Sequence, residues 1–213
     1  MTETRSIGEI LRDAEAGRLD RIFAENREPY DFIATTERLF ALLDERKIDY
    51  VLVGGLAMLQ YVDGRNTRDI DLILSNASLN DVPHLSVSTR DRDFARADFD
   101  GVQVDILLTT NAIFDFVRKS HATERSFGKL TVRCATPQGL LILKLFALPS
   151  LYRQGENTRA AIYEADIAGL LSNRTVDADA AFSVLTPHVL ATDIAELRRI
   201  LAQIESRGPG FSP

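Results

Sequence analysis

The chain has 213 residues, 45% of them hydrophobic, and a formal net charge of −6. It suits one domain, or a compact domain with a smaller helical attachment, and can bury roughly 70% of its unfolded surface. No run approaches the ~20 apolar residues of a membrane-spanning helix, and the acidic balance argues against a general nucleic-acid coat. The opening "MTETRSIGEILRDAEAG" is too charged for a signal peptide, and a lone cysteine, Cys134, excludes an internal disulfide and a multi-cysteine metal site. Together these imply a cytoplasmic protein without a membrane partner.

Residues 5–48 carry apolar positions at helical spacing: Ile7, Ile10, Leu11 and Ala14, then Phe32, Leu39, Leu42 and Leu43. "DYVLV" (49–53) is a short apolar strand ending at Gly54–Gly55, where the chain turns sharply. A short helix over "LAMLQYV" is stopped by "DGRNT"; "RDIDLIL" is a strand closed by the turn-rich "SNASLND". Strands are expected over 84–90 and over the alternating "GVQVDILLTT" (101–110), then a helix over "NAIFDFVRKS". "RSFGKLTVRCA" resembles a hairpin turning at Gly128–Lys129. Thr136–Pro137, a capping hydroxyl followed by proline at the first helical position, opens the apolar helix "PQGLLILKLFAL". Only helical patterns follow: 159–171, 176–185 and 192–206. The expected class is therefore α/β (α+β), with a mixed-sheet core over 1–135 that includes N-terminal helices. A helical region over 136–207 and a flexible tail over 208–213 complete the chain.

Two acids interrupt the second strand. Asp69 and Asp71 stand at i and i+2, so they share a face, while Ile70 and Leu72 point the other way. Asp105, in "VQVDILL", sits on another strand with Val104 and Ile106 on its core side. If the two strands are neighbours, three carboxylates converge, and like charges that close need a cation among them. All-oxygen donors suit Mg²⁺, and a pair of such ions ~3.5–4 Å apart serves both oxygens of a phosphoryl displacement. The plain alternative pairs Asp69 with Arg65 or Arg68 and leaves Asp105 at an exposed edge.

Glycines upstream sharpen the pattern. A strand, Gly54–Gly55 and a helix leave backbone N–H groups free at a helix start, which favours phosphate. Neither a GxxxxGK[ST] nor a G-x-G-x-x-G segment occurs, so P-loop and Rossmann readings lose support. The signal is the conjunction: a glycine pair, thirteen residues, Asp-Ile-Asp, then a distant strand-borne Asp.

"VGGLAMLQYVDGRNTRDIDLIL" (53–74) resembles the signature of the nucleotidyltransferase superfamily related to DNA polymerase β, and its "GR-x-T-x-D-I-D" wording is similar to the AbiEii-like toxin branch. The core resemblance covers residues 50–108 and extends loosely to about 171. It implies that Asp69, Asp71 and Asp105 ligate metal, with Asp105 also helping to activate an acceptor hydroxyl. Gly54 and Gly55 would line an NTP's triphosphate. Arg65 and Thr67 would brace the loop or touch phosphate, and Lys144, the one polar residue in "LLILKLF", would lie near the triphosphate. The alternative for Lys144 is an amine snorkelling from an apolar helix. Asp166 matches a "D-I/L-x-x-L" stretch, but Ile162–Tyr163 replace the Lys-Asp that related sequences carry there, which leaves a cap or salt bridge equally open. The implied cofactor is Mg²⁺, with Mn²⁺ as a substitute.

The same resemblance implies NMP transfer to an acceptor such as tRNA, by a toxin whose antitoxin is a separate chain. The alternatives are an aminoglycoside-type antibiotic nucleotidyltransferase and a non-catalytic nucleotide-binding module. Charge distribution bears on the acceptor. Between Arg118 and Arg159 eight bases stand against two acids, a local +6 that leaves −12 elsewhere. Such a segment is either a solvated face or an electropositive wall for a polyanion.

Overall fold

The computed structural model describes residues 32–62, 67–172 and 176–206. The helical reading of 5–31, Arg65 and the 208–213 tail lie outside them. Helix α1 (Phe32–Glu45) buries Phe32, Ile33, Leu39, Phe40 and Leu43. The Phe40 ring stacks 5.8 Å from Tyr50 and meets Phe127 edge-on at 5.2 Å, tying the helix to two positions far apart in the chain. Next come β1 (Tyr50–Val53), the one-turn helix α2 (Gly54–Met58) and β2 (Ile70–Leu74). After the short α3 (Asn76–Asn80) follow β3 (Ser86–Arg90), β4 (Phe94–Phe99) and β5 (Val102–Leu108). Helix α4 (Ala112–Ser120) leads to the β6 (Ala122–Phe127) and β7 (Leu130–Ala135) hairpin.

These strands form one mixed sheet in the order β3-β4-β5-β2-β1-β7-β6. The pairs β1–β2, β3–β4, β4–β5 and β6–β7 are antiparallel, whereas β2–β5 and β1–β7 are parallel. The arrangement follows from the apolar pattern. β1 is buried along its whole length, and so are Ile70, Leu72, Ile73 and Leu74 of β2, as expected of innermost strands. β5 alternates, with Val102, Val104, Ile106 and Leu108 inward. The hairpin turn expected at Gly128 is present, and Gly128 adopts φ +58° there.

The described residues fall into two compact units that part between Ala135 and Thr136. The second is all helical: α5 (Pro137–Arg153), α6 (Asn157–Ser172), α7 (Ala178–Leu185) and α8 (Ala191–Ser206). The Thr136 hydroxyl accepts from the Gly139 N–H at 3.2 Å, capping α5 as the sequence indicates. Leu140 to Leu145 are buried all the way round, so α5 is the axis of this unit. No helix among the described residues is long and apolar enough to cross a membrane.

Three elements differ from the sequence reading. "DRDFARADFD" contains β4, whose Ala95, Ala97 and Phe99 face inward while Phe94, Arg96 and Asp98 face out. The alternation was present, but alanines carry little apolar signal. "SNASLND" is a short helix rather than a plain turn, because the Ser75 hydroxyl accepts from the Ser78 N–H and caps it. Helix α5 continues beyond Leu148 through Pro149 to Arg153, with Leu148 and Leu151 buried. Apolar burial there outweighs the missing proline N–H.

Candidate functional site

The acids meet at the centre of the sheet. Asp71 lies on β2 opposite Val53 of β1 on one side and Asp105 of β5 on the other. Asp69 directly precedes β2, two residues from Asp71 and on the same side of the chain. One carboxylate oxygen from each of Asp69, Asp71 and Asp105 lies within 4.8 Å of the other two, and all three side chains are half-buried. No histidine or cysteine belongs to the group. Three hard oxygen donors with this spacing fit a divalent cation held by short oxygen bonds, and the residues present could bind one.

Glycine is required beside them. Gly54 follows β1 with φ +62°, and a Cβ there would lie 1.8 Å from Asp71 Oδ2. A Cβ on Gly55 would lie 2.6 Å from the Thr67 hydroxyl oxygen. The Gly55 N–H donates to Asp71 Oδ2 at 3.3 Å, and the Thr67 hydroxyl donates to Asp69 Oδ1 at 2.6 Å. The glycine pair thus lets the turn press against two acids, and Thr67 orients one of them. In this structure the Gly55 amide is directed at a carboxylate. Gly54→Ala is expected to lose about 2 kcal/mol or more, from a left-handed φ plus a steric clash. It should also displace Asp71. Urea unfolding and a Mn²⁺ titration check both effects, and unchanged values in both would refute the packing argument.

Sequence reasoning missed two further members of the site. Arg96 of β4 is the cross-strand partner of Asp105. Its Nε and Nη2 donate to Asp105 Oδ1 and Oδ2 at 2.7 and 3.2 Å, and Gln103 Nε2 donates to Oδ2 at 3.0 Å. Asp105 raises the Arg96 pKa above its ordinary value by hydrogen bond and charge, with smaller contributions from Asp69 and Asp71. The signal that could have found Arg96 is the weak alternation of β4, which puts it on the outward face.

Lys144 belongs to the helical unit. Its ammonium is 2.8 Å from Asp166 Oδ2 and 3.7 Å from the centre of the Tyr163 ring, and both charged residues are buried. Between the cap and the salt bridge left open for Asp166, the structure shows the salt bridge, a buried ion pair with Lys144.

The basic stretch also changes meaning. Among the described residues, six of its eight bases meet acids. Arg118 pairs with Asp49 and Asp115, Lys119 with Asp115, and Arg133 with Asp49. Lys144 pairs with Asp166, Arg153 with Asp193, and Arg159 with Glu156. Most of those partners come from outside the stretch, so the electropositive wall is largely neutralised locally. Arg125 and Lys129, on the β6–β7 hairpin, are the remainder.

The fold has solved counterparts. An antigenic nucleotidyltransferase-like protein from Paracoccidioides brasiliensis aligns with a TM-score of 0.53 at 17% identity, covering 84% of this chain and 89% of that one. The solution structure of the antibiotic-resistance factor ANT(2″)-Ia aligns with a TM-score of 0.50 at 14% identity, covering 82% and 93%. No protein-family model matches the chain, and neither does any curated protein. At these identities the likeness establishes architecture: the chain has a mixed α/β nucleotidyltransferase fold.

Proposed function

We propose that the protein is a Mg²⁺-dependent nucleotidyltransferase that moves NMP from an NTP to an acceptor hydroxyl. The observation that carries this reading is the convergence of Asp69, Asp71 and Asp105 within 4.8 Å, beside a turn that admits only glycine. Divalent cations bound there, Mg²⁺ or Mn²⁺, would neutralise phosphate charge and lower the cost of ionising the acceptor. Asp69 and Asp71, held by Thr67 and Gly55, supply fixed oxygens on one side, and Asp105 supplies the third. In the transfer the acceptor oxygen bonds to the α-phosphorus, the α–β phosphoanhydride breaks, and pyrophosphate leaves. The acceptor proton passes to Asp105 or to water. The Gly54–Gly55 turn, Thr67 and Arg65 are the residues we assign to the triphosphate side.

For the acceptor, the AbiEii-like wording of residues 64–71 favours tRNA, in a toxin held by a separate antitoxin. A second reading, a small cationic acceptor of the antibiotic type, is favoured by the neutralised basic stretch together with the chain's net charge of −6. The test is incubation of the full chain with each NTP labelled at the α-phosphate, Mg²⁺ or Mn²⁺, and either total tRNA or an aminoglycoside set. Label moving to one acceptor class, and abolished by chelator, is the expected result and selects between the two. No label on any acceptor with either cation would overturn transferase function and leave a nucleotide-binding module.

A further inference from the structure

The cluster of acids has a resident cation of its own. The antiparallel register of β4 and β5 puts Arg96 directly opposite Asp105. The guanidinium spans both carboxylate oxygens at 2.7 and 3.2 Å, and Gln103 adds a third donor at 3.0 Å. A carboxylate offers about four lone-pair sites, so these three donors compete with an incoming metal and leave it about one. Charge acts in the same direction: Asp105 belongs to a triad whose carboxylate oxygens lie within 4.8 Å of one another, so the guanidinium sits in the field of all three acids. A divalent cation bound there would face a fixed positive neighbour, and the two would repel. The Arg96 side chain is 53% exposed against 21% for Asp105, so the arginine can swing into solvent without disturbing the strand.

We propose that Arg96 is the internal counter-cation of the acidic triad, engaging Asp105 until a divalent cation displaces it. The proposal rests on the transferase reading and adds to it an exchange of partners at Asp105. The converse role, in which Arg96 presets Asp105 for the metal, predicts the opposite sign.

The test uses Mn²⁺ alone, without nucleotide, followed by the electron paramagnetic resonance signal of the free ion in titrations of the full chain. Arg96→Gln, which keeps one hydrogen bond and loses the charge, should bind Mn²⁺ about two- to fivefold more tightly than wild type, the upper part of the range for loss of a partly exposed ion pair. Arg96→Lys, which keeps the charge and loses the fork, should fall between them. In chelator Arg96→Gln should melt below wild type and recover more on adding Mn²⁺. Equal or weaker Mn²⁺ binding by Arg96→Gln would overturn the proposal. If that variant does not fold, equal or weaker binding by Arg96→Lys serves the same purpose. A wild-type chain that binds no Mn²⁺, or binds it undiminished after Asp71→Asn, would instead sink the metal site itself, and the Arg96 role with it.

Discussion

Asp71→Asn should lower nucleotide transfer by roughly 10³-fold or more, about 4 kcal/mol of transition-state stabilisation. The strand should stay folded. Asparagine matches the shape of aspartate, and its carbonyl can still accept from the Gly55 N–H that meets Asp71 now. The flanking residues Ile70 and Leu72 are buried and untouched. What changes is one negative donor at the centre of the triad, between Val53 and Asp105 in register. Label transfer, Mn²⁺ binding and thermal melting measured on one preparation check the expectation. Activity within about tenfold of wild type (about 1.4 kcal/mol) would remove Asp71 from the chemistry.

The largest loss of stability is expected at Lys144→Met, about 3–5 kcal/mol, because it leaves a buried carboxylate without its cation. Lys144 and Asp166 are 5% and 2% exposed, their charges lie 2.8 Å apart, and α5 and α6 enclose them within apolar surroundings. Lys144→Met combined with Asp166→Leu should regain most of the loss, since replacing a buried pair by apolar residues is often neutral. Urea denaturation of the single and double variants checks this, and a single variant within about 1 kcal/mol of wild type would contradict it. The double variant also isolates the role implied for Lys144 near a triphosphate. Stability restored with NTP affinity lost would assign the lysine to the nucleotide. Affinity retained would leave it to the helical unit.

Much of the centre of the molecule was legible in the sequence. β1, β2 and β5 are dense apolar runs, and acids breaking such runs stand out because a buried strand has no other use for them. Thr136–Pro137 and Gly128 likewise announce a cap and a turn through their own backbone chemistry. Partners distant in the chain were not legible. Nothing local ties Lys144 to Asp166 or Asp49 to Arg133, so a run of bases looked like an exposed basic face. Arg96 was hidden for a related reason: its strand carries alanines inward, and its pairing with Asp105 exists only through sheet register. The glycine pair was visible as a signal, but its closest neighbours, the Asp71 carboxylate and the Thr67 hydroxyl, emerge only in three dimensions.

The order of strands carries a consequence for how such a protein diversifies. The acids are borne by β2 and β5 or lie at the edge of β2, and three strands lie beyond this pair on one side and two on the other. The rim can therefore lengthen, shorten or exchange residues to greet new acceptors while the inner spacing is inherited unchanged. Arg96 occupies the first strand of that rim, so one outward substitution could retune the affinity of the centre without rebuilding it.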